Sequence, residues 1–367
     1  MAQFLDRPRC VAIVHQVKKF NIAVYAGDGI GPEVVEQAVR VLAAAQGDCR
    51  LEFTHLPWGA EYYEQHRQAV PDDFLGQLKK FDAIFLGALG WPAKMPDHIS
   101  LAPLIAMRQQ FDQYACVRPA RLYAGVKTPL ANKSPKDIDM VVIRENSEGE
   151  YAGIGGRFKR QTADEVAIEN AIHSRRGIER IIRFGFETAL TRPRRQLTLV
   201  TKSNALKHGM VLWDEIFEEV RTRYPSVRSD KQHVDAAAMN FVRCPERFDV
   251  VVASNLFGDI LTDLGGAIAG GLGLASSANI NPERQFPSMF EPVHGSAPDI
   301  TGKGIANPIA AILSGALMLE FLGQCAAAQR IRIAVESVLD ASLGTPDLGG
   351  KLTTQQLGEA VVERLNQ

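Results

Sequence analysis

The sequence predicts an α/β protein on a largely parallel sheet, and three observations carry that prediction. Short apolar runs recur at residues 21–25, 51–56, 81–86, 139–143, 196–200 and 248–253, with the length and Val/Ile content of buried strands. Segments with apolar residues at helical spacing separate most of them, and strand–helix alternation implies a parallel sheet with helices on both faces. Several strands also run into glycine-rich or charged stretches, the place where open α/β sheets bind ligands. With 367 residues the chain is long enough for two cores.

The first strand, Asn21 to Tyr25, leads into Gly27-Asp28-Gly29-Ile30-Gly31-Pro32. Glycines allow a tight turn, Pro32 suits the first helical position, and Glu33 suits the positive end of the helix. Such a turn can hold a nucleotide or a phosphate, although a plain tight turn reads the same, and the glycine spacing is not GxGxxG. After the third strand, Gly87 to Ala93 is another loop at a strand end. Ser100 to Arg118 carries Leu101, Leu104, Ile105 and Met107 at helical spacing, with Arg108 and Arg118 bracketing an apolar-aromatic run. The strand at 139–143 ends in Arg144, with Tyr151 seven residues on. Gly153, Gly155 and Gly156 open a stretch of poor core character, suited to an arm.

Residues 175–195 form a basic amphipathic helix whose arginines read as a solvated face. Lys202 follows the strand at 196–200, and Asp235 precedes a helix start rich in small residues. The strand at 248–253 precedes a helix that Ser254 or Asn255 can cap, carrying Asp259 and Asp263. Residues 265–273, rich in glycine and alanine, suit close packing. Phe286 to Pro308 lacks periodicity and reads as a long functional loop. Apolar helices close the chain at 309–322 and 331–339.

A net charge of −1 offers no electrostatic attraction for nucleic acid or an anionic membrane. Five scattered cysteines without CxxC fit free thiols in a reducing compartment. The apolar run Cys10 to Val14 is too short for a secretory signal, so the N-terminus reads as an extension before the first strand and the protein as cytoplasmic.

The candidate chemistry lies in acids and arginines. Asp259 and Asp263, four apart, share one helix face and repel unless a cation lies between them, and hard carboxylate oxygens suit Mg²⁺ or Mn²⁺. Asp235 is the third carboxylate they would need. Arg108, Arg118 and Arg144 have the planar forks that grip carboxylates. For each, an exposed surface charge is the plain alternative, and the same holds for Lys202.

Three motifs then tie these residues together: GDGIGPEV at 27–34, SNLFGDILTDL at 254–264 and EPVHGSAPDITGKGIANP at 291–308. With the ending GTPDLGGKLTTQQLGEAV, they resemble the β-decarboxylating dehydrogenases of (2R)-hydroxy acids, a family that includes the isocitrate and isopropylmalate dehydrogenases. GWPAKMPDHISL, FDQYACVRPARL and VIRENSEGEYAGIGGR look most like its tartrate/D-malate branch. The resemblance implies that family's fold: two α/β domains on one shared sheet, here 1–113 plus 270–367 and 114–269. It implies a homodimer whose active sites each borrow Lys202 and Asp235 from the neighbouring copy, with the segment after Tyr151 at the interface.

The implied reaction is oxidation with β-decarboxylation of tartrate or D-malate, using NAD and Mg²⁺ or Mn²⁺, with room for a monovalent cation. In it Arg108, Arg118 and Arg144 bind the substrate, and Asp235, Asp259 and Asp263 hold the metal. Lys202 takes the hydroxyl proton, and Tyr151 returns one to carbon. Ile30, Asn204, His294, Gly295, Ser296, Ala297, Asp299 and Asn307 match the cofactor contacts, and Asp299, which would repel a 2′-phosphate, favours NAD over NADP. One departure concerns the substrate. The branch has a Trp-Gly pair where this chain has Ala102-Pro103, which leaves space for a larger C3 substituent. Leu104 and Ile105 resemble an isopropylmalate-type apolar wall, so 3-isopropylmalate is the alternative substrate. A metal-dependent hydrolase would leave the 294–299 loop unused, and a non-catalytic subunit would not need every catalytic residue in place.

Overall fold

A computed structural model describes residues 18–47 and 49–367; the expected N-terminal extension and Cys10 lie outside them. In chain order the elements are β1 Lys18–Gly27, α1 Gly31–Ala45, β2 Cys49–His55, α2 Ala60–His66, α3 Phe74–Leu78, β3 Ala83–Ala88, α4 Asp97–Ser100 and α5 Ala102–Gln110. Next come β4 Ala115–Arg121, β5 Asp139–Glu145, the hairpin β6 Gly149–Phe158 and β7 Val166–Ile172, α6 Arg175–Thr191, β8 Gln196–Thr201, α7 Gly209–Arg221 and β9 Arg228–His233. The chain ends with α8 Val234–Arg243, β10 Val250–Ala253, α9 Asn255–Ile268, β11 Ser276–Ile280, β12 Ser288–Pro292, α10 Ile309–Phe321, α11 Cys325–Asp340 and α12 Thr354–Leu365.

Ten strands form one sheet in the order β2-β1-β3-β12-β11-β4-β5-β10-β8-β9. Strands β2, β1, β3 and β12 are mutually parallel, as are β5, β10, β8 and β9, and the antiparallel β11 and β4 join the two blocks. Side-chain alternation explains why helices cover both faces of the first block. In β1, Ile22 and Val24 face the core under α1 and α10–α12, whereas Ala23 and Tyr25 face the opposite core with Trp58 and Met107. A separate core surrounds the second block, with Ile178 and Phe186 of α6, Trp213 of α7, Phe241 of α8 and Leu261 of α9. Helix α10 is apolar nearly all round and accordingly buried.

The turn after β1 is as tight as its glycines require. Gly29 has φ +60°, and a Cβ there would lie 2.0 Å from the Ser296 carbonyl oxygen. That approach lets Ile30 N donate to Ser296 O at 2.8 Å.

Three expectations need correction. The helical spacing from 100 to 118 gives α5 only to Gln110, and Arg118 lies on strand β4. The segment 286–308 is not all loop, since Ser288–Pro292 forms β12 at the centre of the sheet. Ser254 is the N-cap of α9 but makes no capping hydrogen bond with its side chain, and Asn255 is the first helical residue.

Candidate active site

The site assembles where β4, β5 and α9 meet. Arg144, almost fully buried at the end of β5, donates from Nε and Nη2 to Asn255 Oδ1 at 2.9 and 2.6 Å, and from Nη1 to Asp259. A glycine at 258 makes this possible, because a Cβ there would lie 2.6 Å from Arg144 Cβ. Arg118 reaches from β4 to Asp259 at 3.2 Å, Thr262 Oγ1 at 2.7 Å and Ser277 Oγ at 3.3 Å. The Tyr151 hydroxyl donates to Asp259 Oδ2 at 2.7 Å, and the Arg144 guanidinium lies 5.3 Å from the Tyr151 ring centroid. Arg108 on α5 donates to Glu291 of β12 at 2.9 Å and leaves Nε buried with no partner. The three arginines, Tyr151 and Asp259 therefore share one locality.

Their charges are mutually adjusted. Burial and the neighbouring Arg108 and Arg118 lower the Arg144 pKa to about 10, which still leaves it charged at neutral pH. Burial opposes ionisation of Asp259, but Arg144, Arg118 and the Tyr151 hydroxyl outweigh it and hold that carboxyl below its usual range. Asp263, one turn on, is raised by partial burial and by Asp259, although Arg118 works the other way. It makes no hydrogen bond or ion pair. Partial burial, then the bond to Asp259, raises Tyr151, so it keeps its proton at neutral pH.

Lys202 and Asp235 lie elsewhere, at the end of β8 and the start of α8, joined by a 2.7 Å ion pair. Among the described residues no three His, Cys, Asp or Glu side chains converge as a metal site. A single chain thus presents Asp259 and Asp263 as two carboxylates with no third.

Of the proposed cofactor residues, Ile30 and Ser296 meet at the turn after β1. His294, Gly295, Ser296 and Ala297 form a tight corner, with Ala297 at φ +40°. Burial lowers the His294 pKa, and its Nε2 is buried without a partner. Asp299 is exposed. The Asn307 side chain is engaged by Asp347 at 3.0 Å and by Ile309 N at 3.0 Å. Asn204 is exposed on the loop two residues past Lys202, apart from this group in sequence and in the fold.

Several residues of the site escaped the sequence reading. Asn255 carries Arg144 and also donates to Glu148 O at 2.7 Å. Glu291, supported by Asn279 at 2.8 Å, anchors Arg108. Asp28 accepts from Ala60 N at 2.6 Å and Gly90 N at 2.9 Å, fastening two loops to the turn after β1. The signal available for Glu291 was an acid inside an apolar strand, which demands a buried partner. The structure also divides α5: Ile105, Arg108 and Gln109 line a narrow cleft with Tyr151, whereas Ala102, Pro103 and Ala106 line a groove shared with residues 67–74. Ala102 and Pro103 thus lie on the groove side of α5 and Ile105 on the cleft side.

Comparison with known proteins gives concordant results. Residues 21–361 match the family described as isocitrate/isopropylmalate dehydrogenase. The chain is 52% identical over 354 residues to D-malate dehydrogenase [decarboxylating] of Escherichia coli (strain K12), covering 94% of this chain and 98% of that one. It is 52% identical over 356 residues to tartrate dehydrogenase/decarboxylase of Pseudomonas putida, with the same coverage of 94% and 98%. The crystal structure of isocitrate dehydrogenase from Methylococcus capsulatus superposes with a TM-score of 0.86 at 40% identity, covering 95% of this chain and all of that one.

Proposed function

The chain belongs to the isocitrate/isopropylmalate dehydrogenase family, and on that premise we propose that it oxidises and β-decarboxylates tartrate or D-malate with NAD and a divalent cation. The observation that carries this reading is the convergence of Arg118, Arg144 and Tyr151 on Asp259, with Arg108 beside them. Guanidinium forks suit the carboxylates of a hydroxy diacid. Three arginines face three carboxylates here, Asp259, Asp263 and Glu291, so the cluster is formally neutral. A dianionic substrate therefore calls for further positive charge, which favours a divalent cation and Lys202 at the completed site.

The residues present fit both groups. Asp259 and Asp263 offer hard oxygens on one helix face, and Asp235 of a second copy would complete the set. The partnerless Nε2 of His294 and the exposed Asp299 fit the adenosine end of NAD, with Ile30, Gly295, Ser296, Ala297 and Asn307 around them and Asn204 reaching in from a second copy. When bound, the cation supplies a Lewis acid for the substrate C2 oxygen, and NAD supplies the hydride acceptor. Arg108, Arg118 and Arg144 orient the substrate carboxylates. Lys202 of the second copy takes the hydroxyl proton, and Tyr151, protonated at neutral pH, delivers one to the carbon that has lost CO₂.

The dimer reading has its own support. The β6–β7 hairpin exposes Ile154, Phe158 and Ile168, each about half accessible, and an isolated two-stranded ribbon is marginal in water. Met239 and Val242 of α8 and Ile260 of α9 are similarly exposed. The separate cores support the division into 1–113 plus 270–367 and 114–269. No described helix is long and apolar enough to cross a membrane, and a cytoplasmic location is part of the proposal. Ile105 in the cleft beside Tyr151 is the observation that favours 3-isopropylmalate as the second reading. NADH formation with Mn²⁺ and D-malate, tartrate or 3-isopropylmalate decides: the proposal expects the highest kcat/KM with one of the first two, and a strong preference for 3-isopropylmalate overturns it.

A further inference from the structure

A surface concavity of about 600 Å³ beside α6 takes no part in that chemistry. Its walls are α6, the α5–β4 link at Asp112, and the β11–β12 turn at Glu283 and Gln285. It opens on the sheet face opposite Asp259. Val252 lies against Gly185 of α6, and its ladder partner Ile143 shares that face. Arg144, the next residue, points to α9 on the other side.

Arg175, Arg176, Arg180 and Arg183 line the cavity along one stripe of α6, opposite the buried Ile178 and Ile181. Arg175, Arg176 and Arg183 are exposed, as the solvated face expected from the sequence requires, and they border an open concavity. Every acid on the wall already has a donor. Asp112 accepts from Arg180 at 2.8 Å, Glu179 from Arg223 at 2.9 Å, and Glu283 from the Tyr114 hydroxyl at 2.9 Å. Arg176 makes no ion pair, and Arg183 has only a long exposed contact to Glu187 at 3.7 Å. Arg180, stacked 3.9 Å from the Tyr114 ring centroid, leaves Nε buried with no acceptor.

The α6 N-terminus itself is satisfied: the Glu148 carboxylate accepts from Ser174 N, the Ser174 hydroxyl caps Gly177 N, and Arg175 pairs with Glu219 at 2.7 Å. The unmatched donors are those of Arg176, Arg183 and Arg180 Nε, and with the acids of the wall engaged they call for an anion.

We propose that this cavity binds a small multivalent oxyanion, phosphate-bearing or polycarboxylate, held by Arg176, Arg180 and Arg183. The inference stands on geometry and charge and does not depend on the reaction assigned above. Isothermal titration of the full chain with inorganic pyrophosphate and separately with citrate, at fixed ionic strength, tests it and distinguishes the two chemistries. The proposal expects saturable binding of at least one probe with Kd below about 1 mM. Arg176→Glu/Arg183→Glu should weaken it by roughly ten-fold or more, with circular dichroism and thermal midpoint unchanged. The charge-matched Arg330→Glu/Lys351→Glu, remote from the cavity, should leave it intact. No saturable binding, equal affinity in the Arg176/Arg183 variant, or equal weakening by the remote control each overturns the proposal.

Discussion

Asn255→Leu separates a positioning account of Arg144 from a merely local one. The Asn255 carboxamide is the shared acceptor for two Arg144 nitrogens at 2.9 and 2.6 Å, in a pocket where Arg144 is 2% exposed. Leucine keeps the branching, adds some volume and removes the carboxamide, leaving two donors of a charged group and the Glu148 carbonyl without their partner. A buried donor left unmet costs about 1–3 kcal/mol. Because both donors share one oxygen, we expect about 2–4 kcal/mol in all, a fall in thermal midpoint of roughly 3–6 °C for a chain of this size. A guanidinium displaced by about 1 Å should lower kcat/KM roughly 100-fold. Asn255→Asp restores the acceptor for Arg144 but not the donor to Glu148 O, so only part of the stability should return, and activity should stay low because the new carboxylate competes with substrate for Arg144. The assay is NADH formation with D-malate and Mn²⁺, alongside thermal unfolding. An Asn255→Leu enzyme with kcat/KM within about threefold of wild type would refute the positioning argument.

Three further outcomes follow from the same geometry. Tyr151→Phe keeps the ring beside Arg144 and removes one partly exposed hydroxyl. Steady-state kinetics should show kcat reduced about 10²–10⁴-fold with little change in thermal midpoint, whereas an unaltered kcat would remove Tyr151 from proton transfer. Burial depresses the His294 pKa from 6.5, so the folded state binds fewer protons at this site. Its stability contribution is present above pH 6.5 and is lost as pH falls through the lower folded value. Thermal midpoints should therefore drop on acidification through that window, and His294→Gln should flatten the drop. Phe158→Lys/Ile168→Lys places charge on the exposed ribbon. Sedimentation should show monomers and the activity assay should show parallel loss; a fully active monomer would contradict the shared site.

What was legible in the sequence follows the physics of burial. Strands covered on both faces, such as Ala83–Ala88 and Val250–Ala253, announce themselves by continuous apolar character. Ser276–Ile280 does not, because its centre of the sheet is packed with small polar residues, Ser277 and Asn279 among them, bonded to other side chains. Arg228–His233 is an edge strand, polar as exposed edges are, and gives no apolar signal. Within the site, the Asp259–Asp263 spacing and the three arginines were readable from residue type. Asn255 was not, since an Asn at a helix start reads as a cap, and only the fold reveals that its side chain turns to Arg144. The concavity along α6 was equally hidden, because a solvated stripe of arginines does not show which other elements rise beside it.

The central claim is that the Asp259 site is completed by Lys202 and Asp235 of a second copy. Mixing Lys202→Met and Asp259→Asn chains, each inactive alone, tests it directly. If the site is shared, random pairing makes half the dimers hybrids, each with one intact site, and activity should recover to about a quarter of wild type. Mixtures as inactive as the separate variants would contradict the claim.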